Sequence, residues 1–166
     1  IWEEEKYRNL QVTYPVISIS FARIKESNYV TTREKICEIL RNLYIKHSFL
    51  KESKVLTDAD RAYFERVLSV TVGDSDITSS LYQLSDFLQR YYGKKVIILL
   101  DECDTPMQEA YVNGFWDELV AFTRSLFNST FKTNPYMERA IMTGITRISK
   151  ESIFSDLNNL KVVTTT

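Results

Sequence analysis

Three acids within four positions, Asp101, Glu102 and Asp104, follow directly on the apolar run Val96-Ile-Ile-Leu-Leu. Carboxylates are hard oxygen ligands, so their delivery at the end of a buried strand suits a Mg²⁺-nucleotide site or another metal-assisted site. In such a site the first acid, Asp101, holds the ion directly or through water, and the neighbouring Glu102 polarises the attacking water. Five consecutive large aliphatic residues suit a central parallel strand covered on both faces, and ligands of open α/β sheets bind beyond the carboxyl ends of such strands. The bland alternative is a buried strand that ends in solvated acids. Asp104, ahead of Thr105-Pro106, also reads as a turn-former whose side chain satisfies backbone N–H groups.

A strand ending in these acids has the form of a Walker B element, yet the matching phosphate cradle is missing. No G-x-x-x-x-G-K-[ST] occurs, and the glycines are Gly73, Gly93, Gly114 and Gly144. Without a Gly-rich loop no nest of backbone N–H groups wraps the β- and γ-phosphates. The visible site is half a site, and the expectation is a piece of a larger protein or a chain that is not an ATPase.

Other chemistries fit less well. Asp101 and Asp104 as an aspartyl-phosphate pair are three residues apart rather than in a D-x-D-x-T pattern, and a metal-dependent nuclease lacks a lysine after a second acidic strand. Cys37 and Cys103 form no C-x-x-C motif. Cys37 falls in a helical pattern and reads as core, while the acids flanking Cys103 raise its pKa and disfavour a nucleophilic thiolate. His47 is the single histidine, which excludes a two-His zinc motif, and it reads as a surface residue of a mixed helix.

The chain has 166 residues, 44% of them hydrophobic, enough for one sizeable core and about one domain. Its 21 basic and 22 acidic residues leave no excess charge to drive sequence-independent binding to nucleic acid or anionic membrane, although a locally basic surface is compatible with the balance. The longest aliphatic run is about a quarter of the ~20 residues of a membrane span. The start Ile-Trp-Glu-Glu-Glu-Lys lacks the form of a signal peptide, so a cytoplasmic protein is expected.

Positioning these acids requires strands alternating with helices. Val16 to Phe21 after Pro15 reads as a strand over 15 to 21. Thr31 or Thr32 caps a helix carrying Ile36, Ile39, Leu40, Leu43 and Tyr44 to about Leu50. Thr57-Asp-Ala-Asp60 forms a capping box for a short helix. A third helix from Asp76 presents Ile77, Leu81, Leu84, Leu88 and Tyr91, and Gly93 ends it. Pro106 suits a turn or a first helical residue. A helix from about Phe115 stacks Phe115, Leu119, Phe122 and Leu126 as core, and 139 to 145 reads as a short strand. One α/β layer system with a parallel sheet results, with too few strands for a complete sheet.

Five segments together carry a resemblance: Tyr14-Pro-Val-Ile, Tyr91-Tyr-Gly-Lys-Lys-Val-Ile, Leu100-Asp-Glu-Cys-Asp-Thr-Pro, Met142-Thr-Gly-Ile-Thr-Arg147 and Ser152-Ile-Phe-Ser-Asp-Leu-Asn-Asn159. They resemble the bacterial family of predicted AAA-ATPase-like proteins over nearly the whole chain and in the same order. The resemblance implies a three-layer P-loop NTPase-like fold, a parallel sheet flanked by helices. It is incomplete here because the Walker A segment lies upstream, so residues 1–166 form a single AAA-ATPase-like domain that would be inactive in isolation. It further implies Asp101 as the Walker B acid on Mg²⁺, Glu102 as catalytic Glu, Thr143 as the polar sensor and Arg147 as a phosphate-facing charge, with ATP as substrate. Cys103 stands where the family commonly has an aromatic, which puts packing beside the site in question. A downstream nuclease-like domain and nucleic acid enter as partners through the resemblance only, assembly into an oligomer is left open, and a membrane partner is not implied. The alternative is a nucleotide switch or interaction scaffold that does not hydrolyse.

Overall fold

The computed structural model of the chain describes residues 13–144, together with 157, 161 and 163. Strand β1, Val16–Ser20, leads to helix α1, Tyr29–Lys46, and a 3₁₀ turn at Ser48–Glu52. Helices α2, Asp58–Leu68, α3, Asp74–Thr78, and α4, Ser80–Tyr92, precede strand β2, Val96–Asp101. Helices α5, Thr105–Asn113, and α6, Trp116–Phe131, then lead to strand β3, Met137–Met142. The strands form a parallel sheet in the order β1-β2-β3, flanked by the six helices of the described residues. Parallel pairing demands crossovers, and the intervening helices supply them.

Ile17 and Ile19 of β1 stand beside Ile98 and Leu100 of β2, and all four are buried with the helix core of Leu40, Tyr44, Phe64, Leu84, Phe87 and Phe127. Full burial of each such side chain contributes about 1.5–3 kcal/mol. The opposite face departs from the expected double cover. Ile97 and Leu99 are half-buried, and Val16 and Ile141 beside them are exposed. An aliphatic run marks a buried strand without recording how much of each face is covered.

Local chemistry explains the element ends. The Thr57 hydroxyl accepts from Asp60 N at 3.2 Å while the Asp60 carboxylate accepts from Thr57 N at 2.8 Å, the reciprocal bonds of the expected capping box. Gly93 closes α4 at φ 66°, a conformation that suits glycine. Two expectations are corrected. Asn28, rather than Thr31 or Thr32, caps α1, and both threonine hydroxyls donate to its carbonyl. The helix expected from Asp76 is two helices separated by Ser79, whose hydroxyl lies 2.8 Å from the Ser75 carbonyl and 2.9 Å from the Tyr63 hydroxyl. Thr105 to Asn113 forms a helix with Pro106 in its first turn, the second of the two settings expected of that proline.

His47 is also corrected: it is buried, not a surface residue. It ends α1 with Nδ1 2.8 Å from the Leu43 carbonyl, so the ring satisfies a helix-end acceptor. Burial lowers its pKa against an opposing contribution from that hydrogen bond. Below the unfolded value of about 6.5, the unfolded chain therefore binds a proton that the native ring resists. The stability contributed by the neutral ring is complete above that value and is lost as pH falls through the window down to the native pKa. Urea midpoints from pH 8 to 5 are expected to fall more steeply for the native protein than for His47→Gln.

Candidate functional site

Register alone brings the ends of all three strands together. Ser20 pairs with Asp101, and Leu100 pairs with Met142, so residue 143 emerges beside the acids. The Thr143 N–H donates to the Leu100 carbonyl at 2.9 Å, and the Cys103 N–H donates to the Thr143 carbonyl at 3.0 Å. These bonds tie the chain after β2 to the chain after β3.

The Thr143 hydroxyl joins the two principal acids. It donates to Asp101 Oδ1 at 2.5 Å and accepts from the Glu102 N–H at 3.1 Å. Ser20 donates to Asp101 Oδ2 at 3.4 Å, a long contact that nonetheless places a second hydroxyl at the carboxylate. Glu102 Oε2 accepts from the Thr105 hydroxyl at 3.2 Å. Asp101 and Thr143 are exposed and Glu102 is half-buried, so the cluster faces outward at the carboxyl edge of the sheet.

Glu102 has φ 49°, in the left-handed region where side chains other than glycine pay a steric cost of roughly 1–2 kcal/mol. Strain of this kind persists only where surrounding bonds over-determine it, and here the Thr143 hydroxyl and the Thr105 hydroxyl hold both ends of the residue.

Behind this edge lies Asp104, buried at the start of α5, with Oδ2 accepting from Gln108 Nε2 at 3.0 Å. Gly144 packs on it so closely that a Cβ there would lie 2.7 Å from Asp104 Oδ1. Asp104 is therefore a buttress between the two loops, a role more specific than the turn-former expected of it.

Cys103 is buried between the acids, and its thiol is pushed up to about 11, chiefly by burial and then by the charges of Asp104 and Asp101. Cys37 is buried too and raised mainly by desolvation. Neither supplies a ready thiolate. At pH 8 the native Cys103 is expected to react with iodoacetamide at least about 100-fold more slowly than in urea, because both thiolate fraction and access are suppressed. Peptide mass mapping after timed alkylation checks this.

The Thr143 hydroxyl is thus brought within hydrogen-bonding distance of the Asp101 carboxylate and of the Glu102 backbone N–H. Ser20 is a further residue at the site that sequence reasoning did not single out; only strand register reveals it, since a serine ending a strand is otherwise unremarked. Arg147 lies outside the described residues. No group of three or more His, Cys, Asp or Glu suited to a metal occurs among the described residues.

The family model for predicted AAA-ATPases of the AAA-ATPase-like family matches residues 1–154. The chain belongs to this family. No curated protein matches it, and no solved structure does. Membership supports a general ATPase function with use of ATP, and the parallel α/β sheet is consistent with a P-loop-like domain. No helix among the described residues of this AAA-ATPase-like chain is long and apolar enough to cross a membrane.

The donor set of the AAA-ATPase-like chain fits Mg²⁺. One outward carboxylate, Asp101, with the hydroxyls of Ser20 and Thr143 beside it, offers hard oxygens and room for water. Mg²⁺ in nucleotide sites takes one or two carboxylates, retained waters and substrate phosphates rather than an all-protein cage.

Proposed function

We propose that this chain supplies the Walker B and sensor elements of a Mg²⁺-dependent ATPase, within a single AAA-ATPase-like domain whose phosphate loop is provided by a segment upstream. The observation that carries the reading is the Thr143 hydroxyl, bonded at once to the Asp101 carboxylate and the Glu102 amide. It couples the residue after β3 to both acids, as a sensor of the nucleotide state requires.

In this mechanism Asp101 would hold Mg²⁺ directly or through water, assisted by Ser20. The bound ion would neutralise phosphate charge. Glu102 orients the attacking water and accepts its proton. Thr105 engages one of its carboxylate oxygens and leaves the other for that water. Thr143 keeps Asp101 aligned and holds the strained turn that aims Glu102. Arg147 is proposed as a phosphate-facing charge on the family resemblance alone. The same resemblance supports a bacterial origin and the nuclease-like domain and nucleic acid as partners, while a cytoplasmic location is proposed on the sequence expectation alone.

Single-turnover hydrolysis and equilibrium binding of ATP by the protein carrying its phosphate-loop segment test the reading. Hydrolysis lost in Asp101→Asn and dependent on Mg²⁺ is the expected result. Binding without turnover in wild type would make the domain a nucleotide switch, and neither binding nor turnover would leave a scaffold.

A further inference from the structure

Phe49, Tyr91 and Tyr92 form a continuous row of rings where the 3₁₀ turn meets the end of α4. Ring centroids lie 5.2 Å apart between Phe49 and Tyr91 and 4.9 Å apart between Tyr91 and Tyr92, both in edge contact. The three residues are 39%, 43% and 52% exposed. An edge contact covers at most one π-face of the pair it joins, so faces of this row stay open to a flat ligand.

Lysines flank the rings in sequence on both sides. Lys46 is the last residue of α1, just ahead of the turn that carries Phe49, and Lys94 and Lys95 follow Gly93 at the end of α4. All three are exposed, and none is in an ion pair among the described residues. Glu52, the last residue of the turn, is an exposed acid in these segments and is outnumbered. With 21 basic and 22 acidic residues in the whole chain, this excess is local.

A lysine at a helix end compensates the helix dipole, and glycine there provides the stop. Neither accounts for three aromatic side chains left in water. A protein partner fits poorly, because protein interfaces favour tyrosine and phenylalanine but are depleted in lysine. A nucleic-acid duplex offers phosphates but hides its base faces in the stack. A single strand offers both open base faces and a phosphate at each nucleotide, which is what rings beside lysines recognise.

We propose that this row is a stacking platform for single-stranded nucleic acid, with bases on Phe49, Tyr91 and Tyr92 and phosphates held by Lys46, Lys94 and Lys95. Rings and ammonium groups read base faces and phosphates rather than base edges, so binding is indifferent to sequence. Lys95 immediately precedes β2 and Asp101 ends it, which places roughly 16 Å of strand between this surface and the acids. The platform is therefore distinct from the acidic edge. It lies within this chain and stands without either the ATPase reading or a nuclease-like domain.

Fluorescence anisotropy of a labelled oligothymidylate of about 12 nucleotides, titrated with the protein without ATP or Mg²⁺, tests the proposal. Saturable binding is expected, weakening with salt at a log–log slope of about −2, because each of three phosphate contacts contributes about 0.7 on a single strand. Tyr91→Ala/Tyr92→Ala should weaken binding at least about tenfold at an unchanged slope, whereas Tyr91→Phe/Tyr92→Phe should retain it. Lys94→Gln/Lys95→Gln should reduce the slope to about −0.7. Far-UV circular dichroism verifies the folding of each variant. Absence of binding at low salt, equal affinity for a blunt duplex, or affinity indifferent to loss of the rings would overturn the proposal. So would a protein that ignores the oligonucleotide and instead binds phosphatidylserine vesicles through the same lysines, which would make the row a membrane contact.

Discussion

Glu102→Gln is expected to slow single-turnover ATP hydrolysis by at least about 10²-fold while leaving Mg²⁺-ATP binding close to wild type, since acid–base help and water positioning contribute on that scale. The substitution is nearly isosteric. An amide oxygen can still accept from the Thr105 hydroxyl, and the backbone N–H still donates to Thr143, so the turn at φ 49° should persist. What is lost is the basic oxygen that takes the proton of water. Glu102→Gly separates chemistry from strain. It should lose hydrolysis to a similar degree yet unfold at equal or higher denaturant concentration, because glycine adopts a positive φ without steric cost. A Glu102→Gln protein that turns over at the wild-type rate would remove Glu102 from the mechanism.

Gly144→Ala is expected to destabilise the protein by about 1–3 kcal/mol, the range for forcing atoms into a packed site. The added Cβ would lie 2.7 Å from Asp104 Oδ1 and 2.8 Å from its Cγ. Asp104 has little freedom to retreat, being buried and held by Gln108. Because residue 144 follows Thr143, the displacement should pass to the hydroxyl that joins Asp101 and Glu102, and hydrolysis should fall with stability. A double-mutant cycle isolates the contact. In an Asp104→Ala background the carboxylate is gone, and Gly144→Ala should cost much less than in wild type. Additive losses, measured from urea midpoints of all four proteins, would show that Gly144 is needed for some reason other than this contact.

Much of the domain could be read along the chain because the signals are local. Thr57 and Asp60 are three apart, and a capping box needs only that spacing. Gly93 ends α4 because the αL conformation is a property of a single residue. The helix positions Leu119, Phe122 and Leu126 are buried as their periodicity requires. Structure departs from local pattern where two local signals compete. Asn28 outranked Thr31 and Thr32 as a cap, and Ser79 breaks a pattern that remains apolar on both sides. His47 is buried against expectation because polarity of neighbours in sequence says little about burial when a ring can satisfy a helix-end carbonyl.

Residue order by itself determined that a buried strand must deliver Asp101 and Glu102 to an edge, that helices alternate with strands, and that Cys103 between two acids would make a poor nucleophile. Strand pairing decided the rest. Ser20, Asp101 and Thr143 are separated by 81 and 42 positions, and only parallel register sets their hydroxyls on one carboxylate. The close approach of Gly144 to Asp104 and the left-handed turn at Glu102 likewise depend on which segments pack together. Such contacts carry no periodicity, because they arise from free energy gained between residues distant in the chain rather than from the preferences of neighbours within it.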